Sequence, residues 1–199
     1  MERSFKQALE HRRTYYGIGK ESLISEKEVE DLVEFAVKHV PSAFNSQSTR
    51  VVVLFGKNHL RLWSIVKETL RKIVPEAAFE GTENKIDSFA AGYASLLFFE
   101  DESVVKSLQQ QFPGYAANFP IWSQQTSGMH QLAIWTMLED KGLGASLQHY
   151  NPLIDDEVHA TWNIPQTWKL IAQMPFGKPI SEPGEKTFSP LDERVLFFK

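Results

Sequence analysis

PSAFNSQSTRVVVLFG, residues 41–56, joins two different kinds of chain. From Arg50 onward the run Val51-Val52-Val53-Leu54 is too short and too β-branched for a helix, and it predicts a buried strand over 50–55. Ahead of it, Ser42, Asn45, Ser46, Gln47, Ser48 and Thr49 set six hydrogen-bonding side chains within eight residues, more than a turn needs. On the N-terminal side, Ser25 and Glu28 have the spacing of a capping box. Val29, Leu32, Val33, Ala36 and Val40 then recur at helical period, so a helix over 26–39 is expected, stopped by Pro41. A helix, a polar crossing and a strand therefore follow one another in about thirty residues.

The same reading extends outward. Helical patterns are expected at 3–11, 58–74, 83–91, 102–111 (with Asp101 as cap), 124–141 and 155–162. Strands are expected at Tyr93–Phe99, Ala145–Tyr150 and Lys169–Met174, with a final extended segment at 194–198. In the long helix Met129, Leu132, Ala133, Thr136 and Met137 mark the expected core face, and Gly142 and Gly144 the stop. QFPGYAANFPIWSQQ, residues 111–125, reads as irregular. Strands mixed with helices of unequal length, and no linker composition, predict an α+β layered fold in one domain spanning 1–199.

Composition narrows the function. The chain has 199 residues, 42% hydrophobic and 23% charged, with a net charge of −4. That balance lacks the basic stripe of a nucleic-acid surface. Cysteine is absent, which removes disulfides, thiolate metal sites and cysteine nucleophiles. No apolar run approaches the roughly 18 residues of a membrane span, and MERSFKQALEHRR has no signal-peptide core, so no membrane partner and a cytoplasmic location are expected. Aromatic residues reach 12%, with 14 Phe and 5 Trp, suited equally to a core, an interface or a planar ligand. Phosphate-loop, dinucleotide-fingerprint, zincin and nucleophile-elbow motifs are all missing. Asp155 and His159, four apart, form either half a metal site or, as expected here, part of a solvated helix face; no metal is predicted.

Three polar clusters remain. Arg12-Arg13-Thr14 offers two guanidinium forks and a hydroxyl suited to a phosphate, or plain surface charge. Ser42–Thr49 contains an Asn amide able to donate and accept along a ring edge, or a loop tied by its own side chains. Gln148-His149-Tyr150-Asn151-Pro152 lies at a strand end, a common binding place and also a common polar terminus.

Their order matters more than any one of them. An Arg-Arg-Thr near the N-terminus, PSxxNSQ leading into a strand, and GLGASLQHYNP after the central helix together resemble the FMN-dependent nitroreductase family. PSAFNSQSTRVVVL, FAAGYASLLFFED and PIWSQQTSGMHQLAIWTMLEDKGLGASLQHYNP are similar to its compact, fatty-acid-repression-type subgroup. The resemblance implies a three-layer α/β/α fold, with a mixed, mostly antiparallel sheet, in an intertwined homodimer. It implies FMN as cofactor, with Arg12, Arg13, Thr14 and Tyr16 toward the phosphate and ribityl side. Ser42, Asn45 and Gln47 would serve the ring edge; Gln148, His149 and Tyr150 would lie along the flavin face, and Lys186 would be a late phosphate ligand. Phe188 stands where many relatives carry an arginine, which leaves Arg194 as a substitute. Leu147, Gln148 and His149 also depart from the usual third segment.

The activity so implied is hydride uptake from NAD(P)H and reduction of nitroaromatics or quinones, one substrate after the other on the same flavin face. No side chain need act as nucleophile. Arg50 is a candidate donor near the pyrimidine end, or simply a sheet-edge charge. Phe112, Tyr115, Phe119 and Trp122 form either the wall of a planar substrate pocket or a packed interface. The terminal Val195–Phe198 is too apolar to be left in water, and needs a partner strand or a sheet edge of its own chain. The alternative function is a flavin-binding regulator or sensor with little turnover, and a third is a structural dimer without cofactor.

Overall fold

A computed structural model describes residues 3–199. The element order is α1 (Phe5–His11), β1 (Ile18–Gly19), α2 (Glu26–His39), β2 (Thr49–Phe55), α3 (Gly56–Arg71), α4 (Glu76–Ala90), β3 (Ala94–Asp101), α5 (Glu102–Gln111), α6 (Phe119–Asp140), β4 (Gly144–Ala145), α7 (Asp155–Trp162) and β5 (Trp168–Pro179). The sheet runs β1-β5-β3-β2, with β4 also on β5, and every strand pairing is antiparallel.

β3 lies between β2 and β5 and is buried at all eight positions. Strand side chains alternate, so its two faces feed two cores. Leu96 and Phe98 join Val33, Ala36, Ile134 and Leu138 beneath α2 and α6. Leu97 and Phe99 join Leu62, Trp63, Ile86 and Val158 beneath α3, α4 and α7. The expected three layers follow. Burying each of these large apolar side chains contributes roughly 1.5–3 kcal/mol. β5 switches face midway: Phe98 pairs with Ala172 but Phe99 with Leu170, so Ile171 is an extra residue. This bulge turns Leu170 into the second core while Ala172, Met174 and Phe176 stay in the first.

Local signals placed several ends correctly. The Ser25–Glu28 capping box forms reciprocally, and α2 stops before Pro41. Asp101 caps α5 by accepting from Ser103 N at 3.1 Å. Elsewhere the structure corrects the expectation. α4 begins directly after Pro75 and runs through Gly81, so it is longer than 83–91. α6 starts at Phe119, because Pro120 in a first turn sacrifices no helical hydrogen bond.

The buried side of α6 is only partly the expected one: Thr136 is buried and Met137 packs against the core. Met129 and Leu132, however, are exposed at 42% and 43%, whereas His130, Ile134 and Leu138 are buried. Polar and apolar residues are spread over every side of the helix, so sequence period alone gives its faces no contrast. The expected strand over 145–150 pairs only at Gly144–Ala145 and through a bridge from Gln148 to Gln173. The segment 194–198 forms no strand, and Phe198 is 92% exposed, so a sheet edge of its own chain does not cover it. Among the described residues no helix is long and apolar enough to cross a membrane.

Candidate active site

At one end of the sheet the first polar cluster meets Ala145, on the segment that leads to the third; Gln148 itself lies at mid-sheet, opposite Gln173 and level with Leu97. As the chain leaves α1, Thr14 bridges to Ala145 in parallel, and Tyr15 N donates to Ala145 O at 3.0 Å. Gly144 permits this approach, since a Cβ there would stand 2.8 Å from the Tyr15 ring. The guanidinium of Arg12 lies 4.5 Å over the Trp135 ring, and its Nε is buried with no partner. Burial and neighbouring Arg13 both disfavour the Arg12 charge, so an arriving anion would relieve both costs. Arg13 donates to the carbonyl of Gly184, drawing the 181–185 loop across. A cleft of about 320 Å³ results, lined by 12–17 and 181–185. Its wall includes the carboxylates of Glu182 and Glu185 as well as the two arginines. Lys186 is exposed beside this loop, with its ammonium 5.4 Å from the Phe188 ring.

Gln173, fully buried on β5, holds the third cluster in place. It exchanges backbone hydrogen bonds with Gln148 at 2.7 and 2.9 Å, and its side-chain oxygen accepts from Tyr150 N at 2.7 Å. Gln148 is 8% exposed and its amide donates inward to Ser146 Oγ at 3.1 Å, while His149 faces solvent. The Tyr150 ring packs edge-on against Trp63 at 6.1 Å. Burial, with nearby Tyr16, pushes its phenol up to about 12, so Tyr150 stays a neutral donor. Tyr16 is exposed, 6.4 Å from the Phe89 ring.

The second cluster sits at the opposite end. Ala145 pairs with Phe176 and Phe176 with Ala94, whereas Thr49 pairs with Glu100. Six strand residues separate those levels, roughly 20 Å at the strand rise. Within one chain, then, Asn45 does not reach Arg12. Here Phe44, Asn45 and Gln47 all adopt left-handed backbone, with φ of 56°, 50° and 48°. Each such residue costs on the order of 1–3 kcal/mol and persists only where its surroundings enforce it. Ser42 Oγ accepts from Gln47 N at 3.0 Å, closing the loop. Ser48 and Thr49 donate to the two oxygens of buried Glu100 at 2.6 and 2.5 Å. Asn45 and Gln47 are left exposed. The polar cluster therefore divides: part ties the loop, and two amides face outward.

Phe44, unremarked in the sequence, gathers the aromatic residues expected to line a substrate pocket. Its ring lies 4.9 Å from Phe112, 5.9 Å from Tyr115, 5.2 Å from Phe119 and 5.9 Å from Trp122, on which it stacks. Beside the loop, Ser42, Gln47, Arg50, Val37, His130 and Trp168 are among the residues lining a cleft of about 560 Å³. Arg50 is committed structurally: it donates to Gln47 O at 2.6 Å, pairs with Asp101 at 3.1 Å and lies 5.7 Å over Trp168.

The Asp155–His159 pair lies on no solvated face. His159 is 6% exposed and bonds through Nδ1 to Ile164 O at 3.1 Å, closing the end of α7, with Phe99 edge-on at 6.1 Å. Arg194 is exposed in the tail, where its N donates to Leu191 O. Gln173, Phe44, Trp135 and Glu100 are the site-shaping residues that pattern reading missed. Two left a faint signal, since Gln173 interrupts an apolar strand and Glu100 ends one.

Residues 9–178 match the nitroreductase family. The nitroreductase FRM2 of Saccharomyces cerevisiae is 34% identical over 187 residues, covering 93% of each chain. Nitroreductase CinD from Lactococcus lactis, solved with nicotinic acid and with 4-nitrophenol, is 46% and 44% identical. Its TM-scores are 0.91 and 0.90, over 98% of this chain and 100% of that one. An FMN complex from Desulfovibrio desulfuricans shares the fold at 17% identity and a TM-score of 0.72, over 100% of this chain and 99% of that one. Sheet order and full-length similarity lead to one assignment: the chain belongs to the nitroreductase family.

Proposed function

We propose that the protein is an FMN-dependent oxidoreductase acting as a homodimer in the cytoplasm, taking hydride from NAD(P)H and reducing nitroaromatic or quinone-type acceptors in ping-pong fashion. The observation that carries the reading is the split site. One end of the sheet gathers cations and a hydroxyl around the partnerless Nε of Arg12. The other end displays Asn45 and Gln47 on a strained loop. A two-fold pair brings unlike ends of two copies together twice, so each half completes the other. Met129, Leu132 and Phe35 on the outer faces of α6 and α2, with Phe197 and Phe198 in the tail, give such a pair apolar surface to cover.

The chemistry supplied by bound FMN is two-electron transfer between a nicotinamide and an acceptor. The residues present fit that group. Arg12, Arg13 and Lys186 hold its phosphate, Thr14 and Tyr16 its ribityl chain, and Ser42, Asn45 and Gln47 the ring edge. His149 and the backbone of 148–150 lie along the flavin face, beside the neutral phenol of Tyr150. Phe112, Tyr115, Phe119 and Trp122 close one side and exclude water, with Phe44 packed among them. The nicotinic acid and 4-nitrophenol bound by CinD are the two kinds of flat molecule that such a slot would accept in turn.

Purified protein reconstituted with FMN and mixed anaerobically with NADH or NADPH tests this. Rapid bleaching of the flavin absorbance, reversed by a nitroaromatic, is expected. Bleaching too slow to support turnover assigns the fold here to a sensor, and failure to take up FMN refutes the cofactor.

A further inference from the structure

Glu100 is a costly residue in an informative place. It is 1% exposed at the end of β3, beside the loop that presents Asn45 and Gln47. The ion pair at this end of the sheet is Arg50 with Asp101, which leaves Glu100 two hydroxyls, Ser48 on one oxygen and Thr49 on the other. Burial pushes its carboxyl up from the usual range, and the two hydroxyl donors, with the nearby Arg50 charge, only partly offset this. Packing alone would favour an apolar residue, since a buried carboxylate held by neutral donors recovers little of its lost hydration.

What the carboxylate does is fix the exit of the strained loop. Ser48 and Thr49 immediately follow Gln47, the last left-handed residue. With both hydroxyls held and Asp101 N donating to Ser48 O at 2.9 Å, the chain at 48–49 is set in orientation as well as in register. Upstream, Ser42 takes the amide of Gln47. Between these anchors the backbone of 44–47 has little room to relax into ordinary right-handed or extended conformations. We propose that Glu100 is a positioning residue for the flavin-edge loop, holding Asn45 and Gln47 in the geometry that receives the cofactor's ring. This rests on the FMN reading above and extends it to a residue that itself touches no cofactor.

The test uses the full chain and measures two quantities on each variant: the FMN dissociation constant and the melting temperature without FMN. In the triple variant Glu100→Leu, Ser48→Ala, Thr49→Val, which removes the carboxylate together with the two hydroxyls that would otherwise be buried without a partner, the dissociation constant is expected to rise by about tenfold or more, while the apo melting temperature holds or rises. A merely structural role would raise the dissociation constant and lower the melting temperature together. In Glu100→Gln the amide oxygen accepts from one hydroxyl and the NH₂ donates to the other once that hydroxyl turns, so affinity is expected within about threefold of the parent. Ser48→Ala takes the donor from one Glu100 oxygen, so it is expected to weaken FMN and to lower the apo melting temperature modestly; unchanged FMN affinity in this variant overturns the proposal if the triple variant does not fold. Adding Ser48→Ala to Glu100→Leu is expected to cost little more, since both act through one contact. Unchanged FMN affinity in the triple variant, or a loss matched by a fall of more than about 5 °C in its melting temperature, overturns the proposal. A parent chain that binds no FMN overturns the cofactor reading itself, which keeps the two failures distinct.

Discussion

Ser95→Ala removes one oxygen from the centre of the second core, and the structure sets what that costs. His59 Nε2 stands 3.1 Å from Ala90 O and must donate to it, so Nδ1 is an acceptor. The Ser95 hydroxyl donates to that Nδ1 at 2.9 Å and accepts from Trp63 Nε1 at 3.0 Å. All three residues are buried, at 0–2% exposure. Alanine leaves the indole N–H and the imidazole nitrogen both unsatisfied, at about 1–3 kcal/mol each. With some relaxation the loss is about 2–5 kcal/mol, or roughly 5–15 °C in melting temperature for a chain of this size. The effect should extend to the site, since Trp63 packs against both Tyr150 and Phe89. Thermal unfolding followed by near-ultraviolet circular dichroism reads stability and aromatic packing together. A loss below about 1 kcal/mol would refute the tautomer and the shared-hydroxyl reasoning. The same network sets a pH dependence. Burial holds the folded-state His59 pKa below its usual 6.5, so below about pH 6.5 the unfolded chain binds the proton that the folded chain refuses. The stability His59 contributes is therefore present above that pH and lost as pH falls through it toward the folded value. His59→Gln should flatten that part of the profile.

Three further outcomes follow from the site. Asn45→Ala should weaken FMN by about five- to a hundredfold, while the apo melting temperature falls by no more than a few degrees, the cost of alanine at a left-handed φ of 50°; isothermal titration checks the first and thermal unfolding the second. Arg12→Lys keeps the charge but loses the Nε–H and the planar stack on Trp135, so FMN affinity should fall about tenfold, and unchanged affinity would shift the phosphate to Arg13 and Lys186. Deleting residues 194–199 should raise the monomer fraction in sedimentation velocity and loosen FMN in parallel; loss of FMN from an intact dimer would separate the tail from dimerisation.

Much of the fold could be read in local chemistry. The reciprocal bonds of Ser25 and Glu28, the stop at Pro41, the Asp101 cap and the β-branched run at 51–54 act over a few residues, and the chain cannot escape them elsewhere. The ordered spacing of Arg12-Arg13-Thr14, PSAFNSQ and GLGASLQHYNP likewise identified the family, because each stretch carries its own hydrogen-bonding chemistry. Three things lay beyond such signals. With polar and apolar residues spread around it, α6 has no preferred face until neighbours cover one, so Met129 faces out and Ile134 in. The bulge at Ile171 shifts which core each β5 side chain joins, and only the pairing with β3 reveals it. The roughly 20 Å between the sheet levels at which Ala145 and Thr49 pair arises from strand pairing between residues far apart in sequence, as do the turning of Gln148 inward and the gripping of Ser48 by Glu100. Residue types and short-range geometry thus determined which chemical groups this protein possesses. Long-range packing decided which of them meet, because contact between distant segments is fixed by the sheet and its two cores and is written in no single stretch of chain.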